Sequence, residues 1–329
     1  MNPARVGPGN VPRRAATKED TLDKLLRLGT RPAKDAVGAV FAQQFPQHGP
    51  DPRAITWLLG GMAKAKRPDV AIVVLQWMQA QGVEVNAVHC GAAINSCAKT
   101  GLWSRAVELL FAMADDAISP TAVHYNAAIS ACEKGSNWPM ALELLAAMQE
   151  ARVEGDAITH NAAISACEKG HQWPMALDLF DAALAAEIDA TVVTYGAAIS
   201  ACARGGQWLK ALTLLDRATA GRVELGTIAY SAGISACEKG GQWLAALALL
   251  EGLTTSTLRA DTVAYNAAIS ACQKGGQGLK TLDMIDVMHE RRLMPDTITY
   301  NAAISACEKG GLWLEALGLL GTMRRVSVR

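Results

Sequence analysis

The segment VHYNAAISACEKG, beginning at Val123, returns every 35 residues along this chain. It recurs as ITHNAAISACEKG from Ile158, VTYGAAISACARG from Val193, IAYSAGISACEKG from Ile228, VAYNAAISACQKG from Val263 and ITYNAAISACEKG from Ile298. A weaker copy, VHCGAAINSCAKT, starts at Val88. Two degenerate units precede these. One carries Thr56, with Ala71, Leu75 and Met78 in register with Ala106, Leu110 and Met113. The other carries Thr21, with Ala36 in register with Ala71. A period of this length without insertions restricts the chain to a repeat array. Each unit is then one supersecondary element, too small to bury its own apolar face until a neighbour covers it.

Each unit reads as two helices. At 100° per residue from Val123, the residues Tyr125, Ala128, Ile129 and Cys132 fall on one buried side. Asn126, Ser130 and Lys134 form an i, i+4, i+8 stripe on the other. Gly135 is expected to stop the first helix. The second helix is expected to start near Trp138, where Pro139 and, one unit on, Pro174 fit a first turn that has no use for their missing N–H. Its apolar positions are Ala141, Leu142, Leu144, Leu145 and Met148. Small residues such as Ala127 and Ala128 let neighbouring first helices approach closely. The expected fold is all-α: a right-handed superhelical solenoid of two-helix (helix-turn-helix) repeats, with the first helices lining its concave face. The expected boundaries are a disordered or targeting segment over 1–17, a degenerate first repeat over 18–53 and the array proper over 54–329.

Eight cysteines invite a disulfide reading, but the period argues against it. Cys97, Cys132, Cys167, Cys202, Cys237, Cys272 and Cys307 occupy one repeat position. Equivalent sites in stacked helices lie ~8–10 Å apart, beyond the roughly 7 Å between Cα atoms that a disulfide spans. With Cys90, all are expected to be reduced thiols. Lys plus Arg and Asp plus Glu each total 31, so the net charge is zero. This counts against a protein that grips nucleic acid by charge alone, though not against a locally basic groove. No apolar run approaches 18 residues, so no membrane span is expected.

The period, with V-T-Y-N, then Lys-Gly, Ala, Leu-Leu, Met and Pro-Asp in order, resembles the pentatricopeptide-repeat family. The run Met294-Pro295-Asp296-Thr297-Ile298-Thr299-Tyr300-Asn301 shows the likeness best. It is similar to the 35-residue form of that repeat, in a divergent variety marked by Ala-Ala-Ile-Ser-Ala-Cys and Gly-Gln-Trp. The tetratricopeptide repeat, with period 34 and a Trp–Gly–Tyr pattern, fits less well. The resemblance implies single-stranded RNA as partner, read at one nucleotide per repeat by two side chains. One stands near the start of the first helix and the other just before the next unit. Carried onto this chain, the pairs are Thr21/Asp51, Thr56/Asn86, Gly91/Thr121, Asn126/Asp156, Asn161/Thr191, Gly196/Gly226, Ser231/Asp261 and Asn266/Asp296, with Asn301 last. The same resemblance makes Asn126/Asp156 and Asn266/Asp296 readers of uridine, Thr21/Asp51 a reader of guanine and Thr56/Asn86 of adenine.

Amides, hydroxyls and carboxylates suit this task, since they donate and accept towards base edges. The competing reading is structural: Asn126 and its equivalents as helix N-caps, Asp156 as a turn residue. A cation recurs at Lys99, Lys134, Lys169, Arg204, Lys239, Lys274 and Lys309. It is either a ladder of phosphate contacts or a favourable charge at each helix C-terminus. Glu133, Glu168, Glu238 and Glu308, one residue earlier, would blunt its field. Trp103, Trp138, Trp173, Trp208, Trp243 and Trp313 invite a base-stacking reading, but they open the second helix, so packing between units is favoured.

No enzyme is expected. His48, His89, His124, His160, His171 and His289 share no metal-ligand spacing with the cysteines, and C-x-x-C and G-x-x-x-x-G-K-[ST] are absent. Neither metal nor cofactor is expected. Residues 1–18 carry Arg5, Arg13, Arg14 and Lys18 and no acid, as transit peptides do. With the resemblance, this points to a chloroplast or mitochondrion and to RNA processing, stability or translation. The alternative partner is a protein or peptide held in the concave groove of a solenoid scaffold.

Overall fold

The expected hairpins are present throughout a computed structural model, which describes residues 17–29, 32–44, 51–255 and 258–326. Among these residues the chain forms helices and turns only. The first helices are α1 (Lys18–Leu26), α3 (Pro52–Lys64), α5 (Ala87–Thr100), α7 (Ala122–Lys134), α9 (Ala157–Lys169), α11 (Val192–Arg204), α13 (Thr227–Lys239), α15 (Thr262–Lys274) and α17 (Thr297–Lys309). The second helices are α2 (Lys34–Gln44), α4 (Pro68–Ala80), α6 (Trp103–Asp115), α8 (Trp138–Glu150), α10 (Trp173–Ala185), α12 (Trp208–Ala220), α14 (Trp243–Thr255), α16 (Gly278–Glu290) and α18 (Trp313–Val326). The targeting segment expected at the N-terminus lies outside the described residues but for Thr17, which caps α1.

The chain divides into two units, 1–131 and 132–329. In the first, α1 packs on α3 and α3 on α5, around a core that includes Leu25, Phe41, Ile55, Leu58, Leu59, Met62 and Met78. In the second, each first helix packs on the next, from α9 through α17. There α10, α12, α14 and α16 each sit between their own first helix and the following one. The small-residue positions Ala163, Ala198, Ala268 and Ala303 are fully buried, which lets the first helices approach as the alanines foretold.

The helix ends correct the expected punctuation in two ways. First, the residues that cap the first helices belong to the column before them. Asn86, Asp156, Thr191, Asp261 and Asp296 each accept the backbone N–H of the third helical residue. Thr159, Thr194 and Thr299 return a hydroxyl to the cap's own N–H, closing a capping box. Asn161, Asn266 and Asn301 stand inside the helix, one turn on, and are not caps. Second, the expected stop glycine does end α9, α11, α13, α15 and α17, at Gly170, Gly205, Gly240, Gly275 and Gly310, but with right-handed geometry. Helix α5 ends instead on left-handed Gly101. The left-handed turn otherwise falls on the second residue after the helix, at Gly206, Gly241, Gly276 and Gly311, or on Ser136 and His171 where glycine is missing. The stop glycine also serves the tryptophan column: a Cβ at Gly170, Gly205, Gly240 or Gly275 would fall 2.2–2.5 Å from Cδ1 of Trp138, Trp173, Trp208 or Trp243. Packing between repeats is therefore the job of these indoles.

All eight cysteines are buried and free. Burial pushes the thiols of Cys132 up to about 12 and of Cys90, Cys97, Cys167, Cys202, Cys237 and Cys272 up to about 11, so thiolate is scarce.

Candidate nucleic-acid interface

Asn266 and Asp296 form the best-built pair of the reading columns. The Asn266 amide donates to Asp296 Oδ1 at 3.2 Å and Oδ2 at 3.1 Å. Thr299, fully buried, accepts the Asp296 N–H and sets its hydroxyl beside Asn266 Oδ1 and Asp296 Oδ1. Burial raises the Asp296 carboxyl. The Thr299 N–H and hydroxyl and the Asn266 amide outweigh that, and hold it below the ordinary carboxylate range. One oxygen of this aspartate caps α17, so the cap and the expected reader are the same side chain.

The other pairs differ. Asn161 Nδ2 reaches Thr191 Oγ1 at 3.5 Å, and Asn161 Oδ1 is buried with no hydrogen-bond partner. Ser231 is buried, its hydroxyl also without a partner, while Asp261 is exposed and caps α15. Thr56 donates to the Pro52 carbonyl of its own helix, and Asn86 caps α5. Asn126 is 9% exposed, and Asn301 lies open. Gly196 and Gly226 have empty space where a side chain would stand.

The cation column is tied from repeat to repeat. Lys169 pairs with Glu133 at 2.8 Å, Arg204 with Glu168, and Lys274 with Glu238 at 2.6 Å. Each partner lies 36 residues earlier. Where that position is Ala203 or Gln273, the cation turns to a carbonyl: Lys239 to that of Arg204, Lys309 to that of Gln273. Lys239 and Lys309 thus keep charges uncompensated by this column of acids. Lys99 stands in the last turn of α5 and Lys134 ends α7. Along each helix the cation stands eight residues beyond the asparagine position, about 12 Å at 1.5 Å per residue.

One column escaped the sequence reading. From α5 to α17 the second residue of each first helix is β-branched and exposed: Val88, Val123, Ile158, Val193, Ile228, Val263 and Ile298 are 60–79% open. Its signal was available, since it is an unbroken aliphatic position off the buried face of the helix. Among the described residues no group of three or more His, Cys, Asp or Glu is placed to hold a metal ion, and no helix is long and apolar enough to cross a membrane.

Hairpins of this period, stacked first helix on first helix, define an α-helical repeat solenoid. Three family models match the chain: "Pentatricopeptide repeat-containing protein" over 55–183, "PPR repeat family" over 260–309, and "PPR repeat" over 193–219 and 298–328. The chain belongs to the pentatricopeptide-repeat family. Its fold is similar to the crystal structure of the pentatricopeptide repeat protein PPR10 in complex with an 18-nt psaJ RNA element, at TM-score 0.62 and 19% identity. That match covers 94% of this chain but only 42% of the PPR10 chain. The PPR domain of Arabidopsis thaliana protein-only RNase P 1, in complex with tRNA, matches half of the chain at TM-score 0.46 and 13% identity, with 88% of that chain covered. No curated protein matches.

Proposed function

We propose that the chain binds single-stranded RNA along its first helices, with sequence selectivity, and acts in organellar RNA processing, stability or translation. The Asn266–Asp296 pair carries this reading: an amide fixed by a carboxylate, with exposed Val263 and Ile298 on the same two helices. The amide offers base-edge hydrogen bonds and the aliphatics offer apolar contact to base faces. The cations, about 12 Å further along the helices, suit the phosphates of the same strand. Their ion pairs do not bar this role, because the cation of each is 37–42% exposed and open to a phosphate. The RNA seen in complex with PPR10 supports the reading by analogy. The acid-free cations of residues 1–18 support an organellar address.

The test is binding to an RNA pool, followed by four variants of the selected sequence at one nucleotide. Asn266→Ala is expected to lose about 1–3 kcal/mol of discrimination at that nucleotide, with the salt dependence unchanged. A folded Asn266→Ala protein that keeps wild-type base preference would remove this pair from the reading column. The second reading, a protein segment held on the same face, is favoured by the neutralisation of Lys169, Arg204 and Lys274 by acids. Absence of RNA binding even at low salt would select it.

A further inference from the structure

The second helices carry a feature that RNA binding leaves unused. Their second residue reads Ser104, Pro139 and Pro174, then Leu209, Leu244, Leu279 and Leu314. All four leucines are 60–66% exposed. The serine and the prolines open the same kind of helix, so leucine is not needed there for packing. One turn further along the same face, Glu108, Glu143 and Asp178 give way to Thr213, Ala248, Asp283 and Gly318. Leucine thus arrives as most of the charge leaves. Gly240 packs against the Trp208 ring and Gly275 against Trp243, at the starts of the helices that carry Leu209 and Leu244. A row of large apolar side chains left open at one repeat position marks an interaction surface.

We propose that this strip pairs two copies of the chain. The four leucines hold one repeat position on successive second helices, and this regular interval makes the strip self-complementary. Turned antiparallel by a two-fold axis, its leucines meet those of the second copy in register, which is the condition for an isologous interface. Charge selects the same arrangement. The next residue in each helix is Lys210, Ala245, Lys280 and Glu315. Antiparallel pairing sets Lys210 against Glu315 of the second copy, and Lys280 against its Ala245. Asp283 likewise meets Ala248. One turn further Glu251 faces Asp286 of the second copy, but a parallel alignment is worse, since it sets lysine on lysine and acid on acid in every charged column. Lys210 is held in place over the Trp173 ring, 4.7 Å from its centroid. Arg204 and Lys274, at the ends of neighbouring first helices, are neutralised by Glu168 and Glu238. Zero net charge removes long-range repulsion between copies. A strip of four leucines falls short of the roughly 800 Å² per partner of a standard interface, so the dimer is a weak one, with dissociation in the micromolar range. The proposal does not rest on the RNA reading.

Sedimentation equilibrium of the full chain under reducing conditions, from about 1 to about 100 µM, tests it. The wild type is expected to dimerise reversibly in that range. Replacing Leu209, Leu244, Leu279 and Leu314 together by Ser, the residue already present at 104, is expected to weaken dimerisation at least about tenfold with the helical circular dichroism unchanged. Lys210→Glu and Glu315→Lys are each expected to weaken it, and the two together to restore most of the loss. A wild type that stays monomeric throughout overturns the proposal and leaves the strip to a different protein. So does a serine variant that dimerises like the wild type, or a double charge swap no better than its single components.

Discussion

The Trp208 indole rests on the backbone of Gly240 in the next repeat, where a Cβ would stand 2.3 Å from its Cδ1. Gly240→Ala therefore forces the ring out of its seat and is expected to cost about 1–3 kcal/mol, the usual range for overpacking. Gly310 is the control. Its Cβ would meet the Ala306 carbonyl at 3.3 Å but no indole, because Gly278 replaces tryptophan in that column. Urea denaturation of both variants is expected to show the larger loss for Gly240→Ala. Equal losses would mean that the glycine serves its own turn rather than the neighbouring ring.

His171 occupies the left-handed turn with φ of +59°, the place held by Gly206, Gly241 and Gly276 in later repeats. A side chain there costs roughly 1–2 kcal/mol, while glycine loses some stability through the freer unfolded chain. The balance predicts that His171→Gly stabilises by about 0.5–1 kcal/mol. The shift in urea midpoint, with RNA affinity measured alongside, checks it.

The cation column divides by partner. Lys274 is held by Glu238, whereas Lys239 meets only a carbonyl. If the column contacts phosphates, each full contact contributes about −0.7 to the slope of log affinity against log salt for a single strand. Lys239→Ala is expected to reduce the slope by about that amount, and Lys274→Ala by less. Anisotropy titrations of one RNA at several salt concentrations measure both. An unchanged slope in Lys239→Ala would take Lys239 off the phosphate path.

The Asp296 carboxyl lies below its ordinary range in the folded chain because the donors from Thr299 and Asn266 outweigh burial. A depressed folded value means a stabilising contribution that is complete above the unfolded carboxylate range and lost as pH falls through the folded value. Asp296→Asn keeps a capping side chain without the charge. The wild type is expected to be the more stable near neutral pH, with the difference shrinking on acidification below the ordinary carboxylate range. Thermal midpoints of both proteins from neutral to acidic pH test this, and a constant offset would show that the charge is not the source of the stability.

Much of the candidate interface is legible as columns. The 35-residue register picked out Asn266, Asp296 and Lys274 before any coordinates, because equivalent residues in a repeat array share an environment. Their relations were not legible. Nothing along the chain says that Asp296 caps a helix with the same carboxylate that holds Asn266, or that Ser231 is buried while Asn301 is open. The aliphatics from Val88 to Ile298 lie off the buried face in the helical register, yet only the stacking of neighbouring repeats decides how far they stay open.

By itself, the sequence determined the helical hairpin, its period and the reduced state of the cysteines. These follow from local periodicity, turn residues and spacing, which a single repeat already contains. Only the tertiary structure decided what each column touches in the next repeat. The Trp208 seat on Gly240, the Lys274–Glu238 bridge and the Asn266–Asp296 pair all join residues 30 to 36 positions apart. Such contacts depend on how closely and at what angle one hairpin stacks on the next. That angle is set by the summed packing of buried alanines, leucines and indoles, a quantity that no individual position in the chain records.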